Sequence, residues 1–151
     1  MRSTDAADAA GANDAAVEAA VSVGTEIQEK MAALEGAETC RCFASGMAAT
    51  SAVLLSLLSR GDRWVMSDAN YPGTAELARN DLSRLGIDVV TVNFSDLNAV
   101  ERAMSVNTRL VWGESPANPT MRITDIAAIA DIAHAHDARF AIDSTFATPI
   151  A

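Results

Sequence analysis

A chain of 151 residues, 50% hydrophobic and 21% charged, is long enough to bury one core and too apolar to remain unfolded. Its net charge of -9 argues against nucleic acid, whose phosphates require a basic face. No apolar run reaches the roughly 18 residues that span a bilayer, and the acidic N-terminus has no apolar signal core, so the chain reads as cytoplasmic with no membrane contact.

Residues 1–14 are rich in Ala, Asp and Gly and read as a frayed or disordered tail. Residues 15–36 read as a helix, with Ile27, Met31 and Leu34 at helical spacing and Gly36 at the left-handed closing position. From residue 37 to the end the pattern alternates. "TCRCFAS" is strand-like and would carry Cys40 and Cys42 as reduced, half-buried thiols on one face. "GMAATSAVLLSLLSRG" is a strongly apolar helix stopped by Gly61, and "RWVMS" is a short strand. "GTAELARNDLSRLG" predicts an amphipathic helix with Leu77, Leu82 and Leu85 inward and Gly86 as its stop. "IDVVTVNF" is a strand, "SDLNAVERAM" a helix capped by Ser95, and "TRLVWGE" a strand. "ITDIAAIADIAHAHD" is a helix with Ile126, Ile129 and Ile132 on one face, and "RFAID" is the last strand. His134 and His136 stand two apart on that helix, cannot share a face, and so predict no metal site.

Strand and helix in alternation, with short connections, predict a mostly parallel sheet covered on both faces. Ligands of such sheets bind outside the carboxyl ends of the strands. Four segments fall there. "FASGM" sets Ser45, Gly46 and Met47 at a helix N-terminus, whose free N–H groups suit a phosphate, although a plain helix cap has the same composition. "DANYPGT" presents Tyr71, either to stack on a flat ligand and move a proton or to pack its own turn. "ESPANPT" carries Glu114 and then Asn118, held between Pro116 and Pro119, which aims the amide unless the segment is an ordinary turn. "AIDSTF" delivers Asp143 from an apolar strand; a carboxylate at such depth needs a cationic or N–H partner, or else caps a helix or pairs locally. Together they suggest an anion seat, a stacking ring, an aimed amide and an acid around a flat phosphorylated heteroaromatic ligand. Pyridoxal phosphate fits, with Asp143 keeping the ring nitrogen protonated. A nucleotide-binding reading is disfavoured, because neither G-x-G-x-x-G nor G-x-x-x-x-G-K-[ST] occurs.

The runs "LEGAE…FASGMAATSAVLLSLLSRGD", "ESPANPT…ITDIAAIADIAHAH" and "DSTFATP" closely resemble the Cys/Met-metabolism family of pyridoxal-phosphate enzymes, the cystathionine γ-synthase, cystathionine γ-lyase, methionine γ-lyase and O-acetylhomoserine sulfhydrylase type. The resemblance covers roughly Ile27 to the C-terminus. It implies a three-layer αβα fold, the large domain of the aspartate aminotransferase-like fold type I, with residues 37–151 as its first half. It implies that the N–H groups of Gly46 and Met47 bind the cofactor phosphate, that Tyr71 stacks on the ring and assists the leaving group, that Asn118 bonds the ring's phenolic oxygen, and that Asp143 pairs with the ring nitrogen. Glu114 and Thr145 would be supporting polar groups. It also implies a sulfur amino acid or activated homoserine as substrate, elimination or replacement as reaction, and a homo-oligomer, a homotetramer in the full-length family. Three departures stand out: "DSTF" with Ser144 for the family's D-N-T-F, "YPGT" with Pro72 for Y-G-x-T, and "AAVSVGTE" where a Tyr-x-Arg is usual. The family's Schiff-base lysine would fall past Ala151, and the sole lysine here is Lys30 on the N-terminal helix. The expectation is therefore the N-terminal part of a trans-sulfuration enzyme, inactive by itself; the alternative is a non-catalytic remnant acting as an interaction protein.

Overall fold

The computed structural model describes the backbone of residues 4–149 and the side chains of residue 18 and residues 20–149. The chain divides into two compact units, Met1–Ala44 and Ser45–Ala151. In the first, helix α1 spans Thr4–Glu35. Residues 4–14, expected as a tail, are thus helical. Alanine is the best helix former, so a helix built on alanine escapes a search for large apolar residues. Residues 1–3 of that expected tail lie outside the described residues. Gly36 takes the expected left-handed conformation, φ +63°, and Ala37 N–H closes the helix on the Ala32 carbonyl at 2.9 Å. The apolar stripe is not a buried one, since Ile27 and Leu34 are about half exposed.

The strand expected at "TCRCFAS" does not form. A strand exists only where a neighbour completes its ladder, and this segment finds none among the described residues. Cys42 N–H instead donates to the Gln28 side-chain oxygen at 3.2 Å. Both thiols are free, but Cys42 is exposed rather than half-buried.

The second unit is a four-stranded, wholly parallel sheet in the order β2-β1-β3-β4. Its elements are α2 (Gly46–Leu57), β1 (Arg63–Ser67), α3 (Pro72–Leu77), β2 (Asp88–Val92), α4 (Leu97–Ala103), β3 (Thr108–Glu114), α5 (Ile126–Ala135) and β4 (Arg139–Asp143). β1 and β3, central in the sheet, are almost wholly buried, while β2 and β4 flank them. Period-two alternation sends Trp64, Met66, Leu110 and Trp112 to one face, where Leu54 and Leu58 from the α2 end and Ala78 and Leu82 cover them. Val65 and Val111 face the other way, against Val100, Ile129 and Ala133 of α4 and α5. Both faces are covered, as the alternating pattern predicts.

Several details differ from expectation, each for a local reason. α2 ends at Leu57, short of Gly61, which turns the chain with φ +91° three residues after the extended cap Leu58. The long helix after Tyr71 is α3 followed by a π-helical turn, Ala78–Leu82. The wider turn re-phases the residues beyond it, so Leu82 is buried while Leu85 swings out to 51% exposure. Gly86, φ +85°, then ends it, and a Cβ there would crowd the Arg60 side chain at 3.1 Å. α4 is capped by Asp96, not Ser95: its carboxylate accepts Ala99 N–H at 3.0 Å and suits the positive helix end. Ile129 is buried and Ile132 packs beside it, but Ile126, as the first residue of α5, leans back past the helix end and is 43% exposed. His134 is exposed, and His136 is half-buried with its ring bonded to Glu101 at 2.8 Å.

No helix among the described residues is long and apolar enough to cross a membrane.

Candidate active site

The chain leaves β1 toward β2 on one side and returns to β3 on the other. Such a reversal opens a crevice outside the carboxyl ends of the strands. A cavity of about 390 Å³ lies there, and Ser45, Gly46, Met47, Tyr71, Glu114, Asn118, Asp143 and Thr145 all line it. Every site residue expected from the sequence is therefore brought to one place.

At the α2 end, Ser45 is an extended N-cap whose hydroxyl accepts Ala48 N–H at 3.1 Å, and its carbonyl accepts Ala49 N–H at 3.1 Å. The N–H groups of Gly46 and Met47, the first two of the helix, donate to no acceptor among the described residues. A Cβ built on Gly46 would meet nothing within 4 Å. The helix start thus offers two free donors and open space beside them.

Tyr71 follows β1 and precedes Pro72, which occupies the first helical position of α3, where its missing N–H costs nothing. The departure at "YPGT" therefore starts a helix. Gly73 is required by the same geometry: a Cβ there would strike the Tyr71 ring at 2.6 Å and approach the Met47 sulfur at 3.0 Å. The ring lies beside Gly73, and Tyr71 is 43% exposed and lines the cavity.

The Asn118 loop is braced at several points. Ser115 Oγ accepts Thr124 N–H at 3.1 Å, and Ala117 N–H donates to the Arg122 carbonyl at 2.9 Å. Arg122 also reaches Asp68 at 2.6 Å and Asn93 at 3.3 Å, tying this loop to the ends of β1 and β2. Sequence reasoning missed that strap, because its partners lie in segments far apart along the chain.

The two acids of the cavity differ in burial. Asp143 is half-buried, because β4 is the outer strand of the sheet, so the depth argued from its apolar run does not hold. One of its oxygens, Oδ1, accepts Thr145 N–H at 3.0 Å and Thr145 Oγ1–H at 2.6 Å; Oδ2 accepts nothing from the described residues. Glu114, on the buried β3, is 4% exposed. Its Oε1 accepts Asn118 N–H at 2.8 Å and its Oε2 accepts Tyr71 N–H. Burial pushes its carboxyl above the usual range; the two N–H donors oppose that, and the nearby Asp143 charge adds to it.

Thr50 and Phe146 also line the cavity and were not anticipated. Thr50 is four residues after Gly46, hence on the same helix face, a spacing that could have found it. Phe146 lies three residues past Asp143 with half its surface exposed.

The chain is a parallel α/β domain with one cavity at its switch point, and its solved neighbours share the fold type I architecture of pyridoxal-phosphate-dependent enzymes. The model of the Cys/Met metabolism PLP-dependent enzyme family matches residues 22–151, and the chain belongs to that family. It is 44% identical over 124 residues to cystathionine beta-lyase MetC of Staphylococcus haemolyticus, covering 82% of this chain and 32% of the relative. It is 45% identical over 122 residues to O-succinylhomoserine sulfhydrylase of Pseudomonas aeruginosa, covering 81% and 30%. Among solved structures it superposes with a TM-score of 0.81, at 34% identity, on a putative O-acetylhomoserine (thiol)-lyase of Campylobacter jejuni that carries a pyridoxyl-lysine phosphate; the match covers 84% of this chain and 31% of that one. The chain spans about a third of the length of the curated relatives it matches. The cofactor of the family is pyridoxal phosphate.

The residues present fit that group. Two unpartnered helix-end N–H groups beside an open glycine suit its phosphate, the Tyr71 face suits its ring, and Asp143 Oδ2 suits a protonated ring nitrogen.

Proposed function

We propose that the strand-end cavity is the cofactor-holding half of a trans-sulfuration active site acting on a sulfur amino acid or an activated homoserine. The observation that carries this reading is that side chains from α2, β3, β4 and the loops after β1, β3 and β4 converge on one cavity at the switch point. The N–H groups of Gly46 and Met47, with the positive end of α2 behind them, hold the phosphate. Tyr71 stacks on the ring and carries at its phenolic oxygen the proton given to the leaving group. Asn118 donates from its side-chain amide to the ring's phenolic oxygen. Asp143 receives the ring N–H on Oδ2, while Thr145 keeps the carboxylate turned by occupying Oδ1. When bound, the cofactor supplies a ring that withdraws electrons from the carbon bearing the substrate amine.

The family's chemistry also needs an amine at the cofactor's aldehyde. The one lysine of these 151 residues, Lys30, is exposed and paired with Glu26 at 2.5 Å on α1. In this reading the chain by itself holds the cofactor without turning over substrate, and its wider partners are further copies of the protein, as a homo-oligomer. The test is to mix the chain with pyridoxal 5'-phosphate, reduce with borohydride and map any modified residue by mass spectrometry. Reversible binding without stoichiometric labelling is expected. Stoichiometric labelling of Lys30 together with elimination activity would overturn it.

A further inference from the structure

Glu114 is one of two acids lining the cavity, yet its geometry is not that of a ligand group. Its side chain is 4% exposed, and each oxygen is already taken, Oε2 by Tyr71 N–H and Oε1 by Asn118 N–H. Those two residues lie in different loops, one after β1 and one after β3, and they carry the stacking ring and the aimed amide. Glu114 itself is the last residue of β3, the strand hydrogen-bonded to β1, and it pairs in register with Asp143 of β4. Ser115 N–H, next along, donates to the Asp143 carbonyl at 3.0 Å.

We propose that Glu114 is a positioning residue: its buried carboxylate clamps the Tyr71 and Asn118 loops to one strand end and so fixes the spacing between the ring platform and the amide. The proposal deepens the cofactor reading above and rests on it for its ligand consequence, whereas the clamp can be observed in the chain alone. A carboxylate is the side chain for this task, because it accepts at both oxygens and donates from neither when ionised. A glutamine of the same shape offers one acceptor and turns an N–H2 toward the second main-chain N–H, so it can satisfy only one loop. The phosphate seat on α2 does not depend on the clamp, since neither Gly46 nor Met47 bonds to Glu114. Loss of the clamp is therefore expected to harm ring recognition and to spare phosphate recognition.

The clamp should also titrate as one unit. The charged group beside Glu114 is Asp143 from β4, and the phenol facing the same cavity is Tyr71 from the loop after β1. Protonation of Glu114 would weaken both N–H bonds together, whereas among the described residues the Asp143 carboxylate bonds only to Thr145.

The experiment compares the wild-type chain with Glu114→Gln and Glu114→Asp. Amide NMR across a pH series is expected to show the Tyr71 and Asn118 N–H signals moving with one shared midpoint in wild type and losing that titration in Glu114→Gln. Calorimetric titration is expected to show pyridoxamine 5'-phosphate binding about tenfold weaker to Glu114→Gln, with inorganic phosphate binding changed less than about twofold. Glu114→Asp, which keeps both acceptors, is expected to retain the shared titration and recover part of the lost affinity. Independent midpoints for the two amides, or equal affinity of wild type and Glu114→Gln for pyridoxamine 5'-phosphate, would overturn the clamp. A shared midpoint with no binding of pyridoxamine 5'-phosphate by wild type would uphold the clamp and overturn the cofactor reading instead.

Discussion

Replacing Asp143 by asparagine isolates the charge that the proposed site would present to a ring nitrogen. The substitution keeps Oδ1, so the turn closed by Thr145 N–H and Thr145 Oγ1–H persists with neutral in place of charge-assisted bonds, and stability should fall by about 1–2 kcal/mol. What changes is the second oxygen, which accepts nothing from the described residues and becomes an N–H2 that faces a ring N–H as donor against donor. A hydrogen bond to a charged group contributes about 1.5–3 kcal/mol, and the half-exposed position of Asp143 argues for the lower end of that range. At about 1.4 kcal/mol per factor of ten, Asp143→Asn should bind pyridoxamine 5'-phosphate about tenfold more weakly than wild type. Calorimetry measures this directly, with inorganic phosphate as the control that the helix-end seat is intact. Equal dissociation constants for wild type and variant would refute the assignment of Asp143 to the ring.

Gly73→Ala should displace the Tyr71 ring, since the new methyl would lie 2.6 Å from it; weaker pyridoxamine 5'-phosphate binding with an unchanged thermal midpoint is expected in paired titration and melting experiments. Ser45→Ala removes the cap on Ala48 N–H and should cost about 1 kcal/mol in urea unfolding. Leu54→Ala empties a fully buried position of the core and should cost about 2–5 kcal/mol by the same measurement. Glu114 has a folded-state carboxyl raised above its ordinary 4.5, so the folded chain holds that proton longer than the unfolded chain does. Stability should accordingly fall as pH rises from about 4.5 through the raised value, and Glu114→Gln should lose that component of the pH dependence of unfolding.

The strands that carry the site were the most legible part of the sequence. "RWVMS", "TRLVWGE" and "RFAID" are β1, β3 and β4 to the residue, because each is a short apolar run bounded by breakers. Their ends were legible too: once parallel order was inferred, the residues after each strand had to meet, and they line one cavity. What stayed hidden depends on contacts that periodicity does not encode. "TCRCFAS" has the composition of a strand but no ladder to join, and Leu85 has helical spacing but lies past a π turn that re-phases the face. The expected depth of Asp143 fails for the same reason. An apolar run predicts a buried strand, but which strand is flanked on both sides is a property of sheet order, and order places β3 inside and β4 outside. The double role of Glu114 as acceptor for two loops has no local signature at all.

The central claim is that the loops after the strands form one site for a flat, phosphorylated ring. It is tested most directly by mapping amide NMR shifts while pyridoxamine 5'-phosphate, which has no aldehyde to react with Lys30, is added to the wild-type chain. The account predicts saturable shifts concentrated at Gly46, Met47, Tyr71, Asn118, Asp143 and Thr145. Shifts absent from these residues at saturation, or centred on α1, would contradict it.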